Sequence, residues 1–361
     1  MNNRTVSPGV GPVEKSPVDF LLFLPKLLFI ITKVLRACCI LERSRRIPMT
    51  LIKPRRLKKG DLIGLVAPAS PPTTEEKKEQ GIRYLEQLGY RIKLGEHVCA
   101  SRGYLAGSDE ERATDFNAMV RDSSVKAIFA LRGGYGTPRI LRLIDYQALK
   151  KNPKIIVGYS DITALQLAVF RKVGLVTFSG PMVSVDMWNK FDPYAEEHFW
   201  RVLTSAKKIG ALENPADEPL AVLKNGKARG RLLGGNFALL SCLVGTPFIP
   251  KLQNSILFLE DTDEAPHRID RMLAQLLNAR ILSRISALVF GKFTDCEPSD
   301  PSEPNLTVEQ VQKDYAEKIE CPVVANFQYG HIPRRLTVPI GLQASINTKR
   351  NRIEVLDSAV R

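Results

Sequence analysis

The sequence is poor in the residues that form disulfide scaffolds and metal sites. Its 361 residues include only six cysteines, and no two of them have the C-x-x-C spacing of a zinc or redox motif. We therefore expect free thiols in a reducing compartment rather than a disulfide framework, a zinc centre or a cysteine nucleophile. Histidine is rarer still, with four residues, so a catalytic base of this type has few candidates.

A basic stripe on the folded part of the chain is also missing, although the formal net charge is +14. Residues 1–59 hold 13 Lys and Arg residues against three acidic ones, a net of +10, which leaves +4 for the other 302 residues. Nucleic-acid binding proteins concentrate basic residues on one face of a folded domain. The charge distribution therefore argues against a nucleic-acid partner.

No uninterrupted apolar segment is long enough to span a membrane. The most apolar stretch, residues 20–41, is broken by one proline and three basic residues: Pro25, Lys26, Lys33 and Arg36. A charge near the centre of a spanning helix costs about 2.5–3.5 kcal/mol. We expect residues 1–48 to be a poorly ordered extension, or to precede a true start at Met49. Membrane contact is expected only if residues 20–41 form a surface anchor.

From Leu57 onward the sequence alternates between strand and helix patterns. Four short apolar runs have the character of buried parallel strands: residues 61–70, 91–94, 125–131 and 154–157. Helices are predicted between them: residues 74–89, a helix from Ser108 with a capping box to Glu111, and Ile140–Asp145. This alternation predicts an α/β fold with a doubly wound parallel sheet.

A turn-rich segment, residues 206–228, is predicted to link two domains. Before it, residues 49–205 form the N-terminal α/β domain. After it, residues 229–361 form a smaller, β-richer α/β domain. Its predicted strands are residues 255–259, 287–290, 323–325 and 353–356. Its predicted helices are residues 266–277 and 308–318.

Two loops of the first domain follow predicted strands, where ligands bind in open parallel sheets. Arg132–Gly136 contains three glycines that let backbone N–H groups approach a ligand. Gly158–Thr163 is a strand-to-helix turn that would raise Ser160 above the sheet edge. Taken alone, the glycine-rich loop is more often a plain turn or a phosphate site, and a serine at such a junction is more often an N-cap.

A nucleophilic serine needs a base, and His331 is the best placed of the four histidines. It lies in a tight Tyr-Gly-His-Ile-Pro loop after a predicted strand, whereas His198 and His267 belong to helices. Glu260, which closes an apolar strand, is a candidate to orient the base. The order Ser160, Glu260, His331 is compatible with a triad assembled across two domains. A surface histidine and a helix-capping carboxylate are the alternatives.

From about Leu57 to Leu356 the sequence resembles the muramoyltetrapeptide LD-carboxypeptidase family. These serine peptidases also include microcin C immunity-type hydrolases. Seven blocks carry the resemblance in order: GDLIGLVAPAS, LAGSDEERATDF, AIFALRGGYGTPRIL, NPKIIVGYSDITAL, RGRLLGGNFALLSCLVGTP, ILFLEDTDEAPHRIDRMLAQL and YGHIPRRLTVPIG.

The resemblance implies a role for five residues. Ser160 of the GYSD block is the nucleophile, Glu260 of the LED block and His331 of the GH-x-P block complete the triad, and the backbone N–H groups of Gly134 and Asp161 form the oxyanion hole. It also implies hydrolysis of terminal D-alanine from cytoplasmic, L,D-linked murein tetrapeptide, without a metal or organic cofactor.

Other features bear on the substrate. By charge and location, Arg132 and Arg334 are candidates to hold a substrate carboxylate. Ser179 stands where relatives commonly have histidine, and His267 stands where they have an aromatic residue. Neither is a triad position, so these departures bear on specificity.

Two alternatives and one question remain open at this point. The chain is a microcin C immunity-type hydrolase of aminoacyl-nucleotides if Trp188 serves as a shelf for the base. It is a non-catalytic protein if the Arg132–Gly136 loop only binds an anion. Whether it forms a homodimer, as relatives often do, stays open.

Overall fold

The computed structural model describes residues 50–361 with the exception of positions 299, 301 and 303. The expectations for residues 1–48, including the surface anchor at residues 20–41, lie outside the described residues. Among those described, no helix combines the length and the apolar character needed to cross a membrane.

The described residues form strands and helices that alternate through the first half of the chain. The strands are β1 (Leu62–Val66), β2 (Arg91–Leu94), β3 (Val125–Ala130), β4 (Ile155–Gly158), β5 (Thr177–Ser179), β6 (Gly210–Leu212), β7 (Ala221–Lys224), β8 (Lys227–Asn236), β9 (Ser255–Thr262), β10 (Ala287–Thr294), β11 (Val323–Ala325), β12 (Val338–Ile340), β13 (Gln343–Asn347) and β14 (Arg352–Val355). The helices are α1 (Glu75–Gln87), α2 (Asp109–Arg121), α3 (Thr137–Ile140), α4 (Tyr146–Lys151), α5 (Ile162–Val173), α6 (Pro193–Thr204), α7 (Phe237–Leu243), α8 (Pro266–Asn278) and α9 (Val308–Lys318).

The first sheet has the strand order β12-β5-β4-β3-β1-β2. Its strands β1 to β5 run parallel, and β12 is antiparallel to β5. Strands β3 and β4 are buried almost throughout, which explains their continuous apolar sequences. The chain moves from β1 to one side for β2 and to the other side for β3. The carboxyl ends of β1 and β3 therefore flank a topological switch point, where ligands bind in folds of this kind.

The second sheet has eight strands in the order β6-β14-β13-β8-β9-β10-β11-β7. The run β8-β9-β10-β11 is parallel, and the strands on both sides of it are antiparallel. The two sheets, with helices between their strands, confirm the predicted fold class: a parallel doubly wound sheet followed by a β-richer α/β part. Strand β12 returns from the second half of the chain to the edge of the first sheet.

Residues 206–228, predicted as a linker, contain β6 and β7, which are the two edge strands of the second sheet. Both strands are short and are separated by a turn-rich segment, so they carry no periodicity that a sequence window could detect. Edge strands also have one unpaired side and need less apolar sequence than central ones.

Two predicted helices begin at the capping residues that the sequence indicated. Thr74 caps α1 through the N–H of Lys77 (3.2 Å). The predicted capping box of α2 is confirmed, with the Ser108 hydroxyl accepting from Glu111 N–H (3.1 Å) and Glu111 Oε2 accepting from Ser108 N–H (2.7 Å). These caps satisfy N–H groups that a helix leaves without partners.

The predicted helix Ile140–Asp145 is wrong. The helical residues there are α3, which ends at Ile140, and α4, which begins at Tyr146. Asp145 has a non-helical backbone and its carboxylate accepts from the N–H of Ala148 (2.9 Å), so it caps the following helix instead of ending the preceding one.

Candidate active site

Ser160 lies on the sharp turn between β4 and α5. Its φ angle is 62°, in the left-handed region that a serine rarely adopts. Such strain persists where the surroundings over-determine the backbone, and it is typical of turns that expose a nucleophile between a strand and a helix. The side chain is half-buried. Ser160 therefore has the strained backbone of a nucleophile turn, although Ile162 stands at the position of the second glycine in the usual G-x-S-x-G motif.

Glu260 and His331 are brought together from distant parts of the chain. Glu260 lies near the end of β9 and is fully buried, whereas His331 follows β11 and is 19% exposed at its side chain. The His331 Nδ1 and Glu260 Oε2 atoms are 2.7 Å apart. Because a carboxylate only accepts, Nδ1 carries the hydrogen, and Nε2 is the basic nitrogen of the neutral ring.

Tyr159 connects the serine turn to the histidine loop. Its ring meets the ring of His331 edge to face, with centroids 5.1 Å apart. Ser160 is the next residue, so this contact holds the serine turn and His331 in the same part of the molecule. The guanidinium of Arg335 also packs on the Tyr159 ring, 4.1 Å from the ring centroid.

The glycine-rich loop Arg132–Gly136 packs directly against Ser160. A Cβ added to Gly133 would lie 2.9 Å from the Ser160 Cβ and 3.2 Å from its Oγ, so only glycine allows this approach. Gly134 has a φ of 101°. Within the described residues, the N–H groups of Gly134 and Asp161 have no hydrogen-bond acceptor in the protein. The arrangement leaves two backbone donors near Ser160 for a ligand.

The two arginines predicted to bind a substrate carboxylate differ in their surroundings. Arg132 is half-buried, and its Nη1 lies 3.4 Å from the carbonyl oxygen of Pro71. Arg334 is also half-buried, but 42% of its side chain is exposed, and its Nη1 lies 3.1 Å from Asp217 Oδ2, with Glu218 at 3.9 Å. The charge of Arg334 is therefore already paired on the surface.

Of the neighbouring arginines Arg334 and Arg335, only Arg335 points into the protein, and the sequence analysis did not single it out. It is 4% exposed and pairs with Asp186 (2.6 Å), which itself accepts from the N–H of Met182 (2.8 Å). Burial raises the pKa of Asp186, while the Arg335 charge opposes that rise. The Arg-Arg doublet was visible in the sequence, but nothing in it indicated which of the two side chains is buried.

A cavity of about 410 Å³ opens beside His331. Its walls include Tyr159, Asp186, Trp188 and Arg335. Trp188 therefore lines the same cavity as His331. The cavity is the space next to the proposed base in which part of a ligand can be held.

A second buried carboxylate, Asp261, lies next to Glu260. It accepts from Asn236 Nδ2 (2.8 Å) and from the N–H of Ala238 (2.9 Å), and the N–H of Asn236 donates to the Thr163 hydroxyl (3.1 Å). Burial raises the pKa of Asp261 to about 7, and the charge of Glu260 adds to this rise. The network joins β9, which carries Glu260, to α5, the helix that follows Ser160.

Ser179 and His198, which the sequence analysis also named, are buried and have structural contacts, whereas His267 is exposed. Ser179 is fully buried and its hydroxyl lies 2.5 Å from that of Tyr329, so it belongs to the packing and does not line the cavity beside His331. His198 is buried and accepts from the N–H of Thr337 (3.1 Å), and His267 lies in the first turn of α8.

Comparison with known proteins gives matches over both halves of the chain. A family model described as the LD-carboxypeptidase N-terminal domain matches residues 63–180, and one described as the LD-carboxypeptidase C-terminal domain matches residues 229–346. A probable murein peptide carboxypeptidase of Bacillus subtilis (strain 168) is 41% identical over 297 residues, which cover 82% of this chain and 92% of that protein.

Solved structures are similar over most of the fold. The crystal structure of a muramoyltetrapeptide carboxypeptidase from Oxalobacter formigenes has a TM-score of 0.71 and 30% identity, and covers 81% of this chain and 97% of that chain. The microcin C7 self immunity protein MccF in complex with aspartyl sulfamoyl adenosine has a TM-score of 0.79 and 26% identity, and covers 86% of this chain and 100% of that chain.

Proposed function

This chain belongs to the LD-carboxypeptidase family, and we propose that it is a serine carboxypeptidase that removes the terminal D-alanine from L,D-linked murein tetrapeptide. The reaction would serve peptidoglycan recycling in the cytoplasm. We assign the nucleophile to an N-terminal domain of residues 49–205, and the other two triad members to a C-terminal domain of residues 229–361.

One observation carries the proposal: the buried Glu260 accepts a hydrogen bond from His331 Nδ1, and the His331 ring contacts Tyr159, the residue before Ser160. The Glu260–His331 hydrogen bond fixes the tautomer and the orientation of the base. The positive φ of Ser160 marks a turn that exposes a nucleophile. An orienting carboxylate, a base and an activated hydroxyl are the three parts that acyl transfer by serine needs.

In the proposed reaction, His331 Nε2 takes the proton of the Ser160 hydroxyl as Oγ attacks the carbonyl carbon of the L-centred residue. The negative charge that develops on the carbonyl oxygen is stabilised by the N–H groups of Gly134 and Asp161. His331 then donates the proton to the departing D-alanine amine, and the C–N bond breaks. Water hydrolyses the resulting ester on Ser160 with the same histidine as base.

A second candidate function is hydrolysis of aminoacyl-nucleotides. Trp188 favours it, because this indole lies in the wall of the cavity that His331 borders and could stack on a base. The similar fold with aspartyl sulfamoyl adenosine bound adds support. The murein peptide assignment is preferred because the Bacillus subtilis relative, which is more similar in sequence, is named for that substrate.

Product analysis by mass spectrometry tests the proposal. The enzyme is incubated separately with murein tetrapeptide and with aspartyl sulfamoyl adenosine, and Ser160→Ala serves as control for each. We expect free D-alanine and tripeptide from the first substrate and little hydrolysis of the second. Hydrolysis of the nucleotide analogue alone would replace the proposed substrate, and no turnover of either would remove the proposed activity.

A further inference from the structure

The glycine-rich loop after β3 is fastened on both sides of Gly134. Before Gly134, the carbonyl oxygen of Gly133 accepts from the N–H of Ser70 (3.1 Å). After it, the N–H of Tyr135 donates to the Ser70 hydroxyl (3.1 Å). These two bonds attach the loop to Ser70 in the segment that follows β1, and they leave the N–H of Gly134 unused.

The Asp161 side chain fastens the far end of the same loop. Its carboxylate accepts from the N–H groups of Gly136 (3.2 Å) and Thr137 (2.7 Å), and from the Thr137 hydroxyl (2.6 Å). The Thr137 hydroxyl also contacts the main-chain carbonyl oxygen of Asp161. Asp161 is 1% exposed and Thr137 is fully buried, so water cannot readily replace these bonds.

The two chain segments joined in this way carry the two candidate oxyanion donors. The N–H of Gly134 belongs to the loop after β3, and the N–H of Asp161 belongs to the turn after β4. The sheet itself pairs these strands only as far as Phe129 and Val157. Beyond that pair, the relative position of the two loops depends on contacts between the loops, and the Asp161–Thr137 bonds are such contacts.

We propose that the Asp161 carboxylate and the Thr137 hydroxyl are positioning groups that set the spacing between the two N–H donors of the oxyanion hole. The inference rests on the proposed function, in which these donors stabilise the developing negative charge. Donors of this kind act only within about 2.7–3.1 Å of the oxyanion, and a misplacement of about 1 Å can cost about 10²-fold in rate. Neither side chain touches the substrate.

The substitution Thr137→Val tests the proposal, because valine keeps the shape and the backbone N–H but removes the hydroxyl. We expect kcat for D-alanine release to fall by about 10- to 100-fold, with KM within about threefold of wild type. Thr137→Ser restores a hydroxyl at the same position. Its kcat is expected within about threefold of wild type, because the bond to Asp161 can re-form.

A transition-state analogue separates positioning from general loss of structure. A tripeptide boronic acid forms a tetrahedral adduct with Ser160 that presents an oxygen to both donors. Its affinity should fall in Thr137→Val by about the same factor as kcat, since transition-state analogues depend on the interactions that raise kcat. Binding of uncleaved tetrapeptide to Ser160→Ala should be the same with and without Thr137→Val.

Thr177→Val is the matched control. Thr177 is as fully buried as Thr137, but its hydroxyl has no hydrogen-bond partner in the described residues. The same chemical change therefore removes no bond, and kcat should stay within about twofold of wild type. Thermal unfolding of all variants confirms that the populations compared are folded.

Two results would overturn the inference. One is an unchanged kcat and boronate affinity in Thr137→Val. The other is an equal loss in Thr137→Val and Thr137→Ser, since the hydroxyl would then be irrelevant. Failure of the proposed function looks different: Ser160→Ala would keep its turnover, or wild type would release no D-alanine.

Discussion

Glu260 is buried with only one of its two carboxylate oxygens in use. Oε2 accepts from His331, while Oε1 has no partner among the described residues. A buried carboxylate that lacks part of its hydrogen bonding is costly for stability. In the proposed mechanism the buried negative charge has a role, because it stabilises the positive charge that forms on His331 when the imidazole accepts the Ser160 proton.

The substitution Glu260→Gln should therefore damage catalysis more than binding. Glutamine keeps the shape of the side chain, but it has no charge to stabilise the imidazolium and can favour the wrong tautomer. We expect kcat to fall by about 10²–10⁴-fold with little change in KM. Steady-state kinetics of D-alanine release checks this, and a loss of less than tenfold would argue against the orienting role.

Asp261 gives the protein a pH-dependent stability. Its pKa is raised to about 7 in the folded protein, whereas an unfolded aspartate titrates near 4. Between these values the folded state holds a proton that the unfolded state has lost, so this group makes the protein less stable as the pH rises. The substitution Asp261→Asn removes this titration.

We expect the unfolding free energy of Asp261→Asn, relative to wild type, to increase by about 2.5 kcal/mol from pH 5 to pH 8. Urea unfolding of both proteins at the two pH values measures the difference. The comparison cancels groups that titrate alike in both proteins. Parallel pH profiles would show that the folded-state pKa of Asp261 is not raised.

Sequence patterns were informative about some site residues and silent about others. Ser160, Glu260 and His331 each lie in a segment that follows a predicted strand, and the ordered motifs gave them roles. Arg335 was missed because the direction of a side chain in an irregular loop depends on its tertiary contacts, here Tyr159 and Asp186.

Helix α1 shows how packing overrides local preference. Gly81 lies in its middle, where alanine would ordinarily stabilise a helix by about 1 kcal/mol. A Cβ at this position would lie 2.4 Å from the carbonyl oxygen of Val183 and 2.7 Å from its Cγ1. The glycine therefore permits close approach of the helix to the segment that follows β5.

The substitution Gly81→Ala should destabilise the protein by about 1–3 kcal/mol, because overlap with a backbone carbonyl outweighs the gain in helix propensity. Urea unfolding provides the measurement. Glu86→Ala on the exposed side of the same helix is the control, with an expected change of about 0.5 kcal/mol or less. A Gly81→Ala protein as stable as wild type would show that the segment around Val183 can shift to make room for the added methyl group.

Some element boundaries have a local cause that the sequence shows. Thr74 and Ser108 mark helix starts by their own hydrogen bonds. The short helix α3 and the edge strands β6 and β7 depend on neighbours that are distant in sequence. Tertiary context decides such segments, and local propensity is a weak guide there.

Across the whole molecule, the candidate site is assembled from both sheets. Ser160 and the loop Arg132–Gly136 follow strands of the first sheet, whereas Glu260 lies on β9 and His331 follows β11 of the second. Alternation of strands and helices was enough to predict the fold class. It could not predict that Tyr159 and His331, 172 positions apart, lie with their ring centroids 5.1 Å apart.

The most direct test is the kcat for D-alanine release in Ser160→Ala, His331→Ala and the double variant. Residues that act as one unit have non-additive effects. We predict that each single variant loses about 10³-fold or more, and that the double variant loses no more than the worse single one. Losses that multiply, or a Ser160→Ala enzyme that keeps a tenth of its activity, would contradict a Ser160–His331 catalytic unit.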